Sequence, residues 1–303
     1  MGEYLEPRLT WPPIRYQTLY KKSNFGATSF RLPAMVYLVR DNSVLLVNDI
    51  RYDSEDPLPG RIGLIGRKGY INYRNNGSNI DWENPYLISG DSIRDTGDSN
   101  PALCVDAKSG TIIMVWSGDN NFENSTAENP MHIYFSKSTD NGYTWTPRRD
   151  ITDQLYSSLC VNCEISTHKE WFAMYPSSGT GLQVHTGRIL FATRIRYRFQ
   201  YGSTKNYILY TDDLGETWHM NDDGPVTIAL EAKMVELNDQ QVYLSIGQNG
   251  TQKAVYSTNQ GLNWVNAKTY SNIQNGNSNF DIKRYTSKID GYDKNRLLIT
   301  FPY

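Results

Sequence analysis

Cysteine, histidine and long apolar runs are all scarce in this chain, and each shortage removes a class of protein. Three cysteines, Cys104, Cys160 and Cys163, are spread over 303 residues. They are too few, and odd in number, for a disulfide-stapled fold. Cys160 and Cys163 form a CxxC with His168 five residues on, but a structural zinc site takes four ligands and no second close pair exists. The pair reads as coincidence, and neither a metal nor a cofactor is expected. The remaining histidines, His132, His185 and His219, complete neither an HExxH nor a nucleophile-elbow pattern. No apolar run is long enough to span a bilayer. Residues 1–6 have no basic or apolar region of the secretory kind, and the compartment stays open. Neither sign of charge prevails: 30 Lys and Arg stand against 32 Asp and Glu, for a net −2. Without a basic run, neither nucleic acid nor an anionic membrane is the expected main partner.

Aromatic residues are plentiful, at 13% with 22 Tyr and 7 Trp. Tyr and Trp suit strands, and their flat rings stack on sugar faces. Short alternating apolar segments run through the chain, at 35–39, 44–47, 112–116, 132–136, 188–193, 207–210, 241–246 and 296–301. Each is bounded by Gly, Asn, Asp or Ser and predicts a strand. No stretch holds a helical period over three turns, and 160–171 reads as a loop or a short helix. The class is all-β, which leaves sandwich, barrel or propeller.

Internal repetition decides among these. Residues 138–145 read S-x-D-x-G-x-x-W through Ser138, Asp140, Gly142 and Trp145. Residues 211–218 repeat the pattern through Thr211, Asp213, Gly215 and Trp218, and 257–264 through Ser257, Asn259, Gly261 and Trp264. A degraded fourth copy is expected at 75–82. Each of the three clear copies follows a strand. The hydroxyl and carboxylate can bond backbone N–H groups of a turn, the glycine supplies positive φ, and the Trp can tuck between sheets. Three copies at this spacing predict a repeated blade. The repeats resemble the Asp boxes of the sialidase superfamily. The resemblance implies a six-bladed β-propeller, with 1–303 as one domain and 1–24 as its lead-in. Four or five blades are legible, so the propeller is expected to be incomplete at its C-terminus, with a further segment or a second chain closing it.

The site residues follow from the same resemblance. Phe30, Arg31, Leu32 and Pro33 resemble the F/Y-R-I/L-P motif, in which the Arg clamps the sialic acid carboxylate. A planar guanidinium matches a carboxylate bidentately. Asp49, Arg51 and Tyr52 resemble the following D-x-R-Y stretch, which sets Arg51 beside the substrate. Asp56 then falls where the family has its general acid/base, with Asp53 and Glu55 as competitors. Asn100 and Pro101 resemble the D-P segment that contacts the sugar, with Asp98 as the alternative contact. Glu231 opens a segment resembling E-x-x-V-V-E-L, whose first Glu is the base for a tyrosine nucleophile. A phenol is nearly un-ionised at neutral pH and needs such a partner. The pattern then breaks: Gly247 occupies the neighbourhood of the second clamping Arg, and no Arg occurs from Glu231 to Asn279. The third Arg and the nucleophilic Tyr are not assignable. The expected partners are sialylated glycans, which in the family are extracellular or cell-surface. Three functions are open: an exo-α-sialidase, a catalytically degenerate propeller that binds glycans or serves as a scaffold, and a related Asp-box propeller with a different substrate, which the Arg31 and Glu231 segments disfavour.

Overall fold

The computed structural model describes residues 16–53, 60–74, 77–90, 97–126, 128–156, 171–197, 204–221, 231–237, 240–248, 250–274 and 280–300. Among these, helix is confined to Asn24–Gly26 and Thr152–Leu155, and the rest of the regular structure is strand. Four sheets of four or five strands and one of two follow in chain order. The first blade runs Ser29–Leu38, Ser43–Arg51, Ile62–Arg74 and Gly77–Trp82, with Tyr86–Ser89 also paired to its third strand. The second runs Asp98–Val105, Ile112–Gly118, His132–Ser138 and Arg149–Asp150. The third runs Trp171–Pro176, Ile189–Tyr197, Thr204–Thr211 and His219–Met220, and the fourth Ala232–Glu236, Val242–Gln248, Thr251–Ser257 and Val265–Gln274. Asp281–Thr286 and Arg296–Thr300 form the fifth sheet. Opening strands of neighbouring blades lie against one another, 29–38 on 98–105 and 232–236 on 281–286, so they line the centre. Gly179–Thr180, from the third blade's connection, pairs in parallel with Asp98–Val105 and ties the second blade to the third.

The core lies between blades, because each sheet has two faces to cover. Leu45 and Val47 of the first blade pack with Leu103, Met114 and Trp116 of the second. Val115 and Phe135 meet Phe191 of the third, and Leu190 and Ile208 meet Leu244 and Val255 of the fourth. Burying each such side chain contributes about 1.5–3 kcal/mol. This explains why the second strands Ser43–Arg51 and Ile112–Gly118 are buried along their whole length.

The three boxes adopt one geometry. In the first, the Ser138 hydroxyl donates to Asp140 (2.8 Å) and accepts the Gly142 N–H (2.9 Å), while Asp140 accepts the Thr144 N–H (2.9 Å). Thr211, Asp213, Gly215 and Thr217 repeat these contacts at 2.8, 2.9 and 2.9 Å. Ser257, Asn259, Gly261 and Asn263 do so at 2.9, 2.8 and 2.9 Å, so the Asn259 amide oxygen replaces a carboxylate. The glycines have φ of 88°, 87° and 84°. A Cβ on each would meet a side chain of the preceding blade: Leu45 at 2.9 Å, Phe135 at 2.4 Å and Leu190 at 3.0 Å. Trp145, Trp218 and Trp264 pack into the three successive inter-blade clusters. The boxes thus seat each blade on the one before it.

One expectation changes. The segment expected as a degraded fourth box is instead strand Gly77–Trp82, paired in register with Ile62–Arg74. That third strand was itself hidden by its glycines. Gly66 and Gly69 leave room for Tyr86, Ile80 and Trp82, which lie within 2.9 Å of where a Cβ would stand. Aromatic side chains from neighbouring strands supply the packing that the glycines lack. Of 160–171, the described residue Trp171 opens the third blade; the remainder lies outside the described residues.

Candidate functional site

Two central strands carry the same device at their start. In the first blade the register shifts between Arg31 and Ala34, with Leu32 at φ 50° followed by Pro33. In the second it shifts between Ser99 and Ala102, with Asn100 at φ 60° followed by Pro101. Each bulge frees a carbonyl, which a second-strand side chain satisfies: Asn48 donates to the Arg31 oxygen (3.4 Å) and Ser117 to the Ser99 oxygen (3.2 Å). A bulge re-aims the neighbouring side chains, and here it turns both strand starts toward one cavity. That cavity has a volume of 420 Å³ and is lined by Arg31, Arg51, Ser99 and Asn100 on one side and by Phe122, Glu123, Tyr175 and Arg194 on the other. A larger cavity of 640 Å³ between the first, fourth and fifth blades is walled mainly by apolar groups such as Met35, Phe280 and Leu298. The smaller one gathers the guanidinium groups and is the candidate site.

Asp49 organises its floor. The residue is fully buried and forms an ion pair with Arg51 at 2.9 Å. It also accepts hydrogen bonds from the Ser99 hydroxyl (2.6 Å) and the Asn100 N–H (3.2 Å). One carboxylate therefore holds a cavity arginine of the first blade and the bulge of the second. Burial pushes its carboxyl up to about 6, against the pull of Arg51 and the Ser99 and Asn100 hydrogen bonds.

The far wall comes from the second and third blades. The Arg194 Nη1 donates to the Tyr175 hydroxyl at 2.7 Å, and its guanidinium lies 5.1 Å from the centre of the Phe122 ring. Phe122 and Tyr175 meet edge to face at 4.9 Å. Arg196 secures the loop that carries Phe122 and Glu123 by donating to the carbonyls of Glu123 and Ser125. Glu231 stands just ahead of the fourth blade's first strand, where its carbonyl accepts the Gly247 N–H at 3.2 Å. Burial raises its carboxyl above the usual range, opposed by the Lys233 and Arg194 charges and by Ser177. Its Oε2 is buried without a hydrogen-bond partner among the described residues. The same charge acts on Tyr175, whose phenol is raised first by burial and then by Glu231.

The structure therefore brings Arg31, Arg51 and Asn100 together in one cavity and puts Glu231 within electrostatic reach of Arg194 and Tyr175 on its far wall. Asp98 does not line it. Buried completely, it accepts hydrogen bonds from Trp116 (2.8 Å), Arg148 (3.1 Å) and Ser89, so its carboxylate braces the second blade. Asp56 and Glu55 lie outside the described residues. Their competitor Asp53 pairs with Arg61, which holds its carboxyl below the usual range, and a carboxylate kept ionised is a poor proton donor. Arg194, Tyr175 and Phe122 escaped sequence reading because no motif marks them; the alternation of Arg194 and Arg196 along one strand is the signal that was there. Among the described residues no cluster of His, Cys, Asp or Glu is placed to hold a metal ion, and no helix is long and apolar enough to cross a membrane.

Comparison with known proteins agrees with this architecture. Residues 70–289 match the BNR repeat-like domain family. The chain is 25% identical to Sialidase-3 of Bos taurus over 218 residues, 66% of this chain and 47% of that protein. It is 23% identical to Sialidase-2 of Mus musculus over 278 residues, 87% and 69% of the two. Among solved structures, a Hadza microbial sialidase superposes with a TM-score of 0.72 at 19% identity, over 92% of this chain and 54% of that one. The intramolecular trans-sialidase of Ruminococcus gnavus gives 0.69 at 15%, over 90% and 77%. The chain thus spans about half to three quarters of these relatives' lengths. With its three boxes, its central arginine bulge and this match over most of its length, the chain belongs to the BNR repeat-like domain family, within the sialidase superfamily.

Proposed function

We propose that this chain, as one propeller domain, is the catalytic body of an exo-α-sialidase acting on terminal sialic acid of glycoconjugates. The observation that carries the reading is the meeting of Arg31, Arg51 and Asn100 in one 420 Å³ cavity. Arg31 would hold the sugar carboxylate in charge-assisted hydrogen bonds, Arg51 would lie beside the substrate, and Asn100 would bond a ring substituent through its amide. Asp56 would protonate the glycosidic oxygen as the bond to the anomeric carbon breaks. Glu231 would take the proton of a tyrosine hydroxyl as that oxygen attacks the same carbon. Water would then release the sugar from the tyrosine, with Asp56 as base. A carboxyl raised by burial, as Glu231 is, accepts a phenolic proton more readily than an ordinary one.

A second reading is favoured by Gly247, which stands where the family pattern has a clamping arginine. It is a propeller that binds sialylated glycans, or serves as a scaffold, without turnover. The two separate in one assay of the full chain with a fluorogenic sialoside. Release of the fluorophore, lost in Asp56→Asn and strongly reduced in Glu231→Gln, supports the sialidase. Saturable binding with no release, unchanged in Asp56→Asn, supports the second reading and rejects the first.

A further inference from the structure

Three arginines line the cavity among the described residues, and one of them belongs to no motif. Arg31 and Arg51 come from the first blade, while Arg194 comes from the third. At Gly247 the fourth blade has no side chain to offer; its N–H is used on Glu231, and its backbone pairs with Gln252. We propose that Arg194 is the second guanidinium of the carboxylate clamp, entering from the third blade in place of the arginine that Gly247 lacks. This rests on the reading of the cavity as a sialic acid site.

The position of Arg194 is fixed before any ligand arrives. One Nη donates to Tyr175, and the plane of the head group is held against Phe122, which is itself braced by Tyr175. A guanidinium has five N–H donors in a rigid fork. Only one is used by Tyr175, and Nε is buried without a partner among the described residues. Among those residues no carboxylate lies within ion-pairing distance of Arg194, whereas Arg51 has Asp49. A half-buried guanidinium on a cavity wall, with its Nε buried and unpartnered among the described residues, has donors left for an anion that enters the cavity. A carboxylate held between Arg194 and Arg31 would satisfy both walls and close the span that the missing fourth-blade arginine leaves open. Glu123, the carboxylate on the same wall, would repel a ligand anion placed too near the loop and so help set its position.

The test uses the full chain, calorimetric titration, and two ligands: the α-methyl glycoside of N-acetylneuraminic acid, and its methyl ester, which lacks the ionised carboxylate. Arg194→Met is expected to weaken binding of the acid by about tenfold to hundredfold, the range of a lost charge-assisted hydrogen bond. The same substitution should leave the weaker binding of the ester unchanged. Arg194→Lys keeps the charge but not the fork and should fall between; it also replaces the Met variant if that one does not fold. Equal loss for acid and ester, or no loss for either, overturns the clamp role and leaves Arg194 as a support for Phe122 and Tyr175, with the sialic acid reading intact. Failure of the unmodified chain to bind the acid at millimolar concentration overturns that reading and the clamp with it.

Discussion

Asp49→Asn sets two opposing terms against each other, burial of the carboxylate and its pairing with Arg51. The geometry favours burial: Asp49 has no exposure, and its carboxyl is raised to about 6 despite Arg51, Ser99 and Asn100. In the unfolded chain an Asp titrates near about 3.9. Between these values the folded state binds more protons than the unfolded one, so stability falls as pH rises from about 4 to 6. Two pH units at about 1.4 kcal/mol each give about 3 kcal/mol of linked loss. Asn cannot titrate and is close in shape, so its variant lacks this slope. Urea unfolding of both proteins should therefore show the wild type losing about 3 kcal/mol relative to Asp49→Asn between pH 4 and 6.5. Other ionisable groups cancel in the difference. If instead the wild type gains on the variant as pH rises, pairing with Arg51 outweighs burial, as it does when removal of one partner strands a buried charge. In that case burial does not govern the Asp49 carboxyl on the cavity floor. The slope also has a functional meaning, since an ionised Asp49 is the state that orients Arg51.

Two further predictions rest on contacts in the fold and the cavity loop. Gly215 and Gly291 share a φ of 87°, but a Cβ would stand 2.4 Å from Phe135 at the first and meet nothing within 4 Å at the second. Gly291→Ala should cost about 1 kcal/mol for the left-handed backbone, and Gly215→Ala about 1–3 kcal/mol more for overpacking. Equal midpoints in urea would show that the box glycine serves conformation alone. Arg196→Ala releases the carbonyls of Glu123 and Ser125 and should weaken sialoside binding about threefold to tenfold through lost pre-organisation. Faster amide exchange in 121–126 should accompany it, with the global midpoint nearly unchanged. Unaltered exchange there would remove the loop-anchoring role.

What could be read in the sequence follows from how local each feature is. The boxes were legible because hydroxyl, carboxylate, glycine and tryptophan act within a few residues, and the turn they imply is the one observed. The arginine before Leu32-Pro33 was legible for the same reason: a positive φ and a proline make a bulge in place. Asn100-Pro101 repeats the device, but the shared geometry emerged only when the strands were paired. Asp98 reads like a site residue beside Asn100, but the bulge between Ser99 and Ala102 breaks the alternation that would set the two on one face, and the Asp98 side chain lies among Trp116 and Arg148. The far wall was not legible at all. Phe122, Tyr175 and Arg194 meet only because two different blades bring them there, and no local spacing encodes that. The glycine-rich strand Ile62–Arg74 was missed because its packing is supplied by Tyr86 and Trp82 from other strands.

The seating of each box glycine on the preceding blade gives the molecule a direction. Gly142 needs Leu45 in place, Gly215 needs Phe135, and Gly261 needs Leu190, and in every case the seat lies earlier in the chain. A ribosome releases these segments in that same order. Each turn therefore emerges to find its docking surface already synthesised, and can seat on it without waiting for a later blade. A circular permutant that began at the third blade would reverse this for Gly215, whose seat would then be made last.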